Sequence, residues 1–208
     1  MTDLHEEHDH DDEGLEAYCM SCKQTNLIEE PEAVWTRKGT PATRGVCSIC
    51  GTTVFRMGGT DAHADMKAPT PVRVAGSLPR GVTSPLATFV TCASADAEVA
   101  EQIAEDLQNS GYPTWLDGAK PEEDVAWASG VHPALSECTR MVVVLSPDSL
   151  ASERVSEAWH YFRDKRKPIH LAQVKPAEVP DELRRSPRFD FGEDYKAALR
   201  QLVQALMQ

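Results

Sequence analysis

Along residues 86–208, short apolar runs alternate with stretches in which apolar side chains recur every three or four positions. The runs predict buried strands and the periodic stretches predict amphipathic helices. Predicted strands cover residues 86–92, 112–116, 141–145, 169–174 and 188–191. Two predicted helices are marked by apolar stripes, one of Val99, Ile103 and Leu107 and the other of Trp127, Val131 and Leu135. Two more predicted helices cover residues 152–163 and 195–207. This alternation predicts an α/β domain whose parallel sheet is covered on both faces.

Composition divides the chain into four segments. Residues 1–16 contain eight acids and no Lys or Arg, which predicts a disordered, acidic, His-rich tail. Residues 17–57 hold four of the six cysteines and form a candidate small module. Residues 58–85 contain four Gly and four Pro without sustained periodicity, which predicts a flexible linker. The α/β domain then occupies residues 86–208.

The charge and the apolar runs argue against two classes of protein, nucleic-acid-binding and membrane-spanning. The net charge is −12, of which the tail supplies −8, so no segment is basic and nucleic acid is disfavoured as the main partner. No apolar run approaches the roughly 18 residues that cross a bilayer. The first residues lack the basic and apolar regions of a signal peptide, which predicts a cytoplasmic protein with no membrane partner.

Two Cys-x-x-Cys pairs, Cys19 with Cys22 and Cys47 with Cys50, are separated by 24 residues. Such pairs supply four thiolates to a tetrahedral structural zinc ion, and Gly51 suits the tight turn after the second pair. Redox-active and iron–sulfur interpretations compete with zinc. A module this small needs the metal as its main source of folding energy, and the whole is similar to a zinc ribbon. The tail histidines His5, His8 and His10 indicate at most weak divalent metal binding.

Several motifs in the α/β domain occur in an order that resembles the Toll/interleukin receptor (TIR) domain of the bacterial and archaeal type. They are Thr-Phe-Val-Thr-Cys-Ala-Ser-Ala-Asp at 88–96, Tyr-Pro-Thr-Trp-Leu-Asp at 112–117, Trp127 with Val131 and Leu135, Val-Val-Val-Leu-Ser-Pro at 142–147, Ser152 with Val155, and Lys-Pro-Ile at 167–169. The resemblance implies a flavodoxin-like fold with a parallel five-stranded sheet. It also implies that the domain associates with other copies.

TIR domains either assemble as scaffolds or cleave the nicotinamide–ribose bond of NAD, in microbes commonly for defence or signalling. In that reaction an oxocarbenium ion develops on the ribose, and a nearby carboxylate stabilises it. The enzymatic members carry this carboxylate as a Glu on the helix after the third strand. Both anchors, Ser152 with Val155 and Lys167 onward, place that position at Ala158.

Ala158 leaves three alternatives open. The residue is an engineered substitution that inactivates an NAD-cleaving enzyme, or the domain is naturally inactive, or the register is wrong and the adjacent Glu157 is the catalyst. One helical step turns a side chain by about 100°, so Ala158 is expected to face inward and Glu157 outward.

The remaining pocket candidates lie where the carboxyl ends of the strands should meet. They are Ala93, Ser94, Asp96, Asp117, Glu122, Trp127 and Ser146. Each has a purely structural alternative, such as helix capping for Ser94 and Asp96, a turn for Asp117 and core packing for Trp127. Cys92 and Cys138 are interpreted as small apolar residues and not as nucleophiles.

Two functions follow as hypotheses. The first is an NAD glycohydrolase or ADP-ribose cyclase lineage, with NAD as substrate, that Ala158 renders inactive in this chain. The second is a non-catalytic adaptor in which the zinc module recognises a protein partner and the TIR domain self-associates. The activating trigger, the form of the product and the oligomeric form do not follow from the residues.

Overall fold

The computed structural model describes residues 14–72, 87–117 and 125–207, which group into two compact units. The first unit contains the chain up to Thr70 together with Val125–Ala128, and the second contains the rest. The predicted tail up to residue 13, residues 73–85 of the predicted linker and the candidate Glu122 lie outside the described residues.

The first unit is a four-stranded antiparallel sheet in the order β1-β2-β3-β4. Its strands are β1 (Glu16–Cys19), β2 (Gln24–Trp35), β3 (Pro41–Cys47) and β4 (Thr53–Met57). The strand-to-strand turns after β1 and β3 carry the two Cys-x-x-Cys pairs. A cluster of buried residues lies beneath them: Ala17, Cys19, Ile28, Cys47 and Val54. The small size of the unit agrees with a module that gains stability from a metal.

A bulge in β2 lets β3 approach it closely. The register shifts between Glu29 and Glu32, and Glu30 adopts the left-handed conformation with φ of 50°. A Cβ atom on Gly45 of β3 would lie 2.3 Å from Ile28 Cγ2 and 2.6 Å from the Glu29 carbonyl oxygen. Only glycine fits at position 45, because a backbone carbonyl cannot yield to a side chain.

The first unit continues beyond residue 57, where the composition suggests a linker. A 3₁₀ turn, Asp61–His63, buries His63 against the edge of the Trp35 ring. His63 Nε2 donates to the carbonyl oxygens of Val34 at 3.3 Å and Ala42 at 3.1 Å. The contact joins the turn to β2 and β3.

The second unit is a parallel five-stranded sheet, as the alternation of apolar runs predicts. Its strands are β5 (Thr88–Thr91), β6 (Thr114–Leu116), β7 (Arg140–Leu145), β8 (Ile169–Gln173) and β9 (Arg188–Asp190), in the order β6-β5-β7-β8-β9. Its helices are α1 (Ala97–Asn109), α2 (Pro133–Glu137), α3 (Pro147–Ala151), α4 (Glu153–Asp164) and α5 (Tyr195–Leu206). The flavodoxin-like strand order is confirmed, and strand order reverses between β5 and β7.

The two faces of this sheet are covered by different helices. Val90, Val142 and Ala172 pack with α1 and α5 in one buried cluster. Successive residues of a strand point to opposite faces, so Phe89 points away from that cluster. Its ring lies 5.8 Å from the ring of Phe162 on α4, between ring centroids, which places α4 on the opposite face.

The helix predicted along Trp127, Val131 and Leu135 is wrong over most of its length. Trp127 forms a parallel β-bridge with Trp35 and belongs to the first unit. Gly130 is left-handed with φ of 73°, and only Pro133–Glu137 is helical. Proline occupies the first turn of that helix, where its missing N–H costs nothing. No helix in the described ranges is long and apolar enough to cross a membrane.

Candidate functional site

The first candidate site is the cluster of Cys19, Cys22, Cys47 and Cys50, whose sulfur atoms all lie within 4.8 Å of one another. Cys19 Sγ lies 3.6 Å from Cys50 Sγ, and Cys22 Sγ lies 4.0 Å from Cys47 Sγ. Zinc–sulfur bonds of about 2.3 Å in a tetrahedron place neighbouring sulfurs about 3.8 Å apart. The four thiols therefore fit the donor set and the size of a tetrahedral zinc site.

Both cysteine turns have the same backbone geometry. Lys23 N donates to the Cys19 carbonyl at 2.8 Å, and Gly51 N donates to the Cys47 carbonyl at 2.9 Å. Lys23 and Gly51 both adopt positive φ, of 58° and 67°. Gly51 is identifiable from the sequence, whereas lysine at the matching position gives no such signal.

Hydrogen bonds around the cluster favour thiolates at two of the four positions. Asn26 Nδ2 donates to Cys47 Sγ at 3.2 Å, and Gln24 Nε2 holds Asn26 through its Oδ1 at 3.0 Å. The backbone amides of Ile49 and Cys50, and then the Asn26 side chain, lower the pKa of Cys47. The Thr52 side chain lowers the pKa of Cys50 to about 6.

The pKa of Cys22 shifts in the opposite direction to those of Cys47 and Cys50. Its hydrogen bond with Cys50 raises the pKa of Cys22 to about 12. This hydrogen bond therefore favours the protonated thiol at Cys22. Binding of a metal ion would require Cys22 to lose its proton, because all four ligands bind as thiolates.

The second candidate site is the carboxyl edge of the parallel sheet, where the loops after β5, β6 and β7 meet. Ser146 Oγ donates to Asp96 Oδ2 at 2.5 Å, and Lys175 Nζ donates to Asp96 Oδ1 at 2.8 Å. The Asp96 side chain is only 2% exposed. Asp96 occupies the N-cap position of α1 without bonding the helix, so its carboxylate joins loops instead of capping.

A second carboxylate at this edge is paired with an arginine that sequence reasoning missed. Arg154 Nη1 forms an ion pair with Asp117 Oδ2, and Thr91 Oγ1 donates to the same oxygen at 3.1 Å. Arg154 Nη2 donates to the Cys92 carbonyl at 2.8 Å. Burial raises the pKa of Asp117, while the Arg154 charge opposes that shift. Asp117 thus joins the ends of β5 and β6 to α4.

The helix α4 presents Ala158 inward and Glu157 outward, as helical periodicity predicts. Ala158 is buried with Val155, Trp159 and Phe162, whereas Glu157 is exposed. Arg154 lies one turn before Ala158, at the i, i+4 spacing that places two residues on the same face. That spacing is the signal by which Arg154 can be found from the sequence.

Of the other predicted pocket residues, three lie at the carboxyl edge of the sheet and one lies in the first unit. Ala93 is buried and Ser94 is exposed in the short turn before α1. Ser146 is buried, and its Oγ also accepts a hydrogen bond from the Ser149 backbone at 3.0 Å as the cap of α3. Trp127 belongs to the first unit and not to the second.

Cys92 and Cys138 are both buried. Burial raises the pKa of Cys92 to about 11 and that of Cys138 to about 12. A nucleophilic cysteine needs its thiolate, which such pKa values disfavour. These values agree with the interpretation of both residues as apolar packing residues.

Comparison with known proteins matches two regions of the chain to family models. Residues 88–203, more than half of the chain, match the TIR domain, and residues 18–57 match a domain of unknown function (DUF5679). No curated protein matches the chain. Among solved structures, the TIR domain of the Toll-related receptor TRR-2 from Hydra magnipapillata is similar, with 18% identity and a TM-score of 0.48, over 58% of this chain and 98% of that one. The chain therefore belongs to the TIR domain family.

Proposed function

We propose that this protein is a TIR-domain signalling protein that acts by association and does not cleave NAD. In this proposal the TIR domain binds other TIR domains, and the zinc-bound module recognises a protein partner. The observation that carries the proposal is that the described carboxylates at the carboxyl edge of the sheet are already engaged in hydrogen bonds and ion pairs within the domain.

Cleavage of the nicotinamide–ribose bond needs a carboxylate beside the ribose. Within the described part of that edge, Asp96 is buried against Ser146 and Lys175, and Asp117 is paired with Arg154. The position that the TIR resemblance assigns to the catalytic Glu is Ala158 on α4, which carries no charge. Glu157 points to solvent, so the alternative in which it is the catalyst loses support.

Arg154 adds an electrostatic argument. Its guanidinium lies on α4 one turn before Ala158 and is permanently charged. A developing oxocarbenium ion is positive, so a cation nearby raises the energy of the transition state. Asp117 offsets this charge, but because it is paired with Arg154 it cannot also stabilise a cation on the ribose. The arrangement suits a structural junction better than a catalytic pocket.

The cysteine cluster supports zinc as a structural cofactor. Its donor set and its sulfur–sulfur distances suit a tetrahedral ion, and four protein ligands leave no open position for catalysis. Bound zinc would supply most of the folding free energy of the first unit. Asn26 and Thr52 would stabilise the thiolates around it.

A second candidate function is an NAD-cleaving lineage that Ala158 has silenced, either naturally or by engineering. The favouring observation is the position of Ala158 on the inward stripe of α4. The TIR resemblance implies a Glu at this position in the enzymatic members. A Glu side chain there would point toward the interior of the site.

The test is NAD turnover, measured by chromatography of released nicotinamide at high protein concentration. The unchanged chain and Ala158→Glu are compared, with Glu157→Ala as the matched control on the adjacent position. We expect no turnover from the unchanged chain or from Glu157→Ala. Release of nicotinamide by the unchanged chain would overturn the proposal, and its loss in Glu157→Ala would then identify Glu157 as the catalyst.

Turnover by Ala158→Glu alone would assign the protein to the silenced NAD-cleaving lineage. Sedimentation velocity of the zinc-loaded protein then tests association itself. A concentration-dependent increase in mass is expected. A monomer at every concentration would contradict the part of the proposal in which TIR domains bind each other.

A further inference from the structure

A cleft of about 680 Å³ lies beside the connection between β8 and β9. Leu171, Val179 and Leu183 contribute apolar groups, and Arg184, Arg188 and Glu178 contribute charged ones. Leu171 and Leu183 are buried, while the two arginines are exposed. The cleft therefore combines an apolar floor with a predominantly cationic rim.

The edge around the cleft is basic in a chain that is acidic overall. The exposed cations are Arg163, Lys165, Arg166, Arg184, Arg185 and Arg188. They gather at one edge because the first three precede β8 and the others precede or begin β9, and these strands are adjacent and parallel. Four carboxylates lie near them in sequence: Asp164, Glu178, Asp181 and Glu182.

Several of these cations are available to a partner. Arg184 is paired with Asp181 at 2.8 Å, but both side chains are exposed. Across the described ranges, Arg166, Arg185 and Arg188 take part in no ion pair. Exposed cations of this kind contribute little to the fold, so their clustering points to recognition.

The helix α1 offers a surface of the opposite charge. Glu98, Glu101 and Glu105 are exposed, and their spacing of three and four residues places them on one ridge. The helix contains no Lys or Arg. Its opposite side is buried through Ala100, Ile103, Ala104 and Leu107.

The cleft and the ridge lie on opposite faces of the sheet. Ala172 packs in the cluster that contains α1 and α5, and the neighbouring Leu171 therefore points to the other face. Leu171 lines the cleft. A single copy thus presents the basic cleft on one side and the acidic ridge on the other.

We propose that the α1 ridge of a second copy docks in the basic cleft. The glutamates meet the arginine rim, and the helix covers the apolar floor. Since the two surfaces differ and face opposite ways, the contact is heterologous and repeats from copy to copy as an open assembly. The inference rests on the association in the proposed function and names the surfaces responsible for it.

The contact depends on charge, so it weakens as salt screens it over a Debye length of about 8 Å at physiological ionic strength. We expect the average mass in sedimentation velocity to fall between low and high salt. The decisive variants reverse charge on each surface separately: Arg184→Glu with Arg188→Glu, and Glu101→Lys with Glu105→Lys.

Each double variant should weaken association at least about tenfold, as loss of complementary charge does at interfaces. All four substitutions in one chain restore the complementarity, and association should return. The matched control is Lys196→Glu with Arg200→Glu on the exposed side of α5, which changes the net charge by the same amount as the arginine variant at residues that belong to neither surface. Association of this control should stay within about twofold of the unchanged chain.

The other outcomes separate the two claims. If the charge reversals leave association intact, the docking surfaces are wrong while association through the TIR domain stands. If only the arginine variant fails to associate, an acidic partner other than α1 occupies the cleft and the inference fails. If the α5 control also dissociates, or the four-substitution chain does not recover, the specific contact is excluded. A protein that is monomeric throughout overturns both claims.

Discussion

Ser146 Oγ donates a hydrogen bond of 2.5 Å to Asp96 Oδ2, which joins the loop after β7 to the loop after β5. The second carboxylate oxygen accepts from Lys175 Nζ at 2.8 Å. A buried carboxylate is tolerated only when its hydrogen-bonding capacity is used. The point where the strand order reverses is therefore held by a buried polar contact between loops.

Removal of that hydroxyl in Ser146→Ala is expected to lower the free energy of unfolding by about 1–3 kcal/mol, because Asp96 stays buried with one donor fewer. The loss of the α3 cap adds to the cost. Urea unfolding followed by tryptophan fluorescence measures it. The control Ser110→Ala removes an exposed hydroxyl and should change stability by less than about 0.5 kcal/mol. Equal effects of the two variants would contradict the role given to Ser146.

Asn26→Ala is expected to weaken zinc binding about 10–100-fold, the usual effect of losing a hydrogen bond to a ligand. The Asn26 amide contacts Cys47 Sγ directly, so its loss disfavours that thiolate. Competition with a chromophoric chelator measures the affinity. Thr53→Ala, an exposed change on β4, serves as the control and should bind zinc as the unchanged chain does. Unaltered affinity in Asn26→Ala would exclude the outer hydrogen bond as a contributor.

Lys23→Gly is expected to stabilise the first unit by up to about 1 kcal/mol, because a residue with a Cβ is strained at φ of 58°. The reciprocal change Gly51→Ala should destabilise it by about 1 kcal/mol or more. A Cβ on Gly51 meets nothing within 4 Å, so that loss is due to the backbone alone. The thermal midpoint of the zinc-loaded protein reports both changes. A lower midpoint for Lys23→Gly would show that lysine makes a compensating contact.

His170 predicts an acid sensitivity of the TIR unit. Burial lowers its pKa below the ordinary 6.5, and its Nδ1 has no hydrogen-bond partner among the residues described. Below about pH 6.5 the unfolded chain takes up a proton that the folded chain resists, so stability falls as pH falls. His170→Leu should reduce the difference in unfolding free energy between pH 7.5 and pH 5.5. An unchanged difference would assign the acid sensitivity to other groups.

Local patterns predicted most of the elements. Residues 141–145 form an apolar run because both faces of the sheet are covered, and the observed strand is Arg140–Leu145. Periodicity likewise predicted which side of α4 is buried, including Ala158. The helix predicted from Trp127 to Leu135 was wrong. The apolar residues there have the spacing of an amphipathic helix, but Gly130 and Pro133 interrupt the helical backbone.

The sequence by itself determined the strand and helix order, the pairing of the four cysteines into one cluster and the inward position of Ala158. The elements and the inward position of Ala158 depend on residues close together in the chain, where spacing dictates geometry. The two cysteine pairs are distant in sequence, and their clustering was predicted because two Cys-x-x-Cys turns together supply the four ligands of one metal ion. Tertiary structure alone decided the partners of the buried charges. Asp96 meets Ser146 across 50 residues, and Asp117 meets Arg154 across 37. Such contacts arise because parallel strands bring their carboxyl ends to one edge, and no local pattern records which side chains meet there.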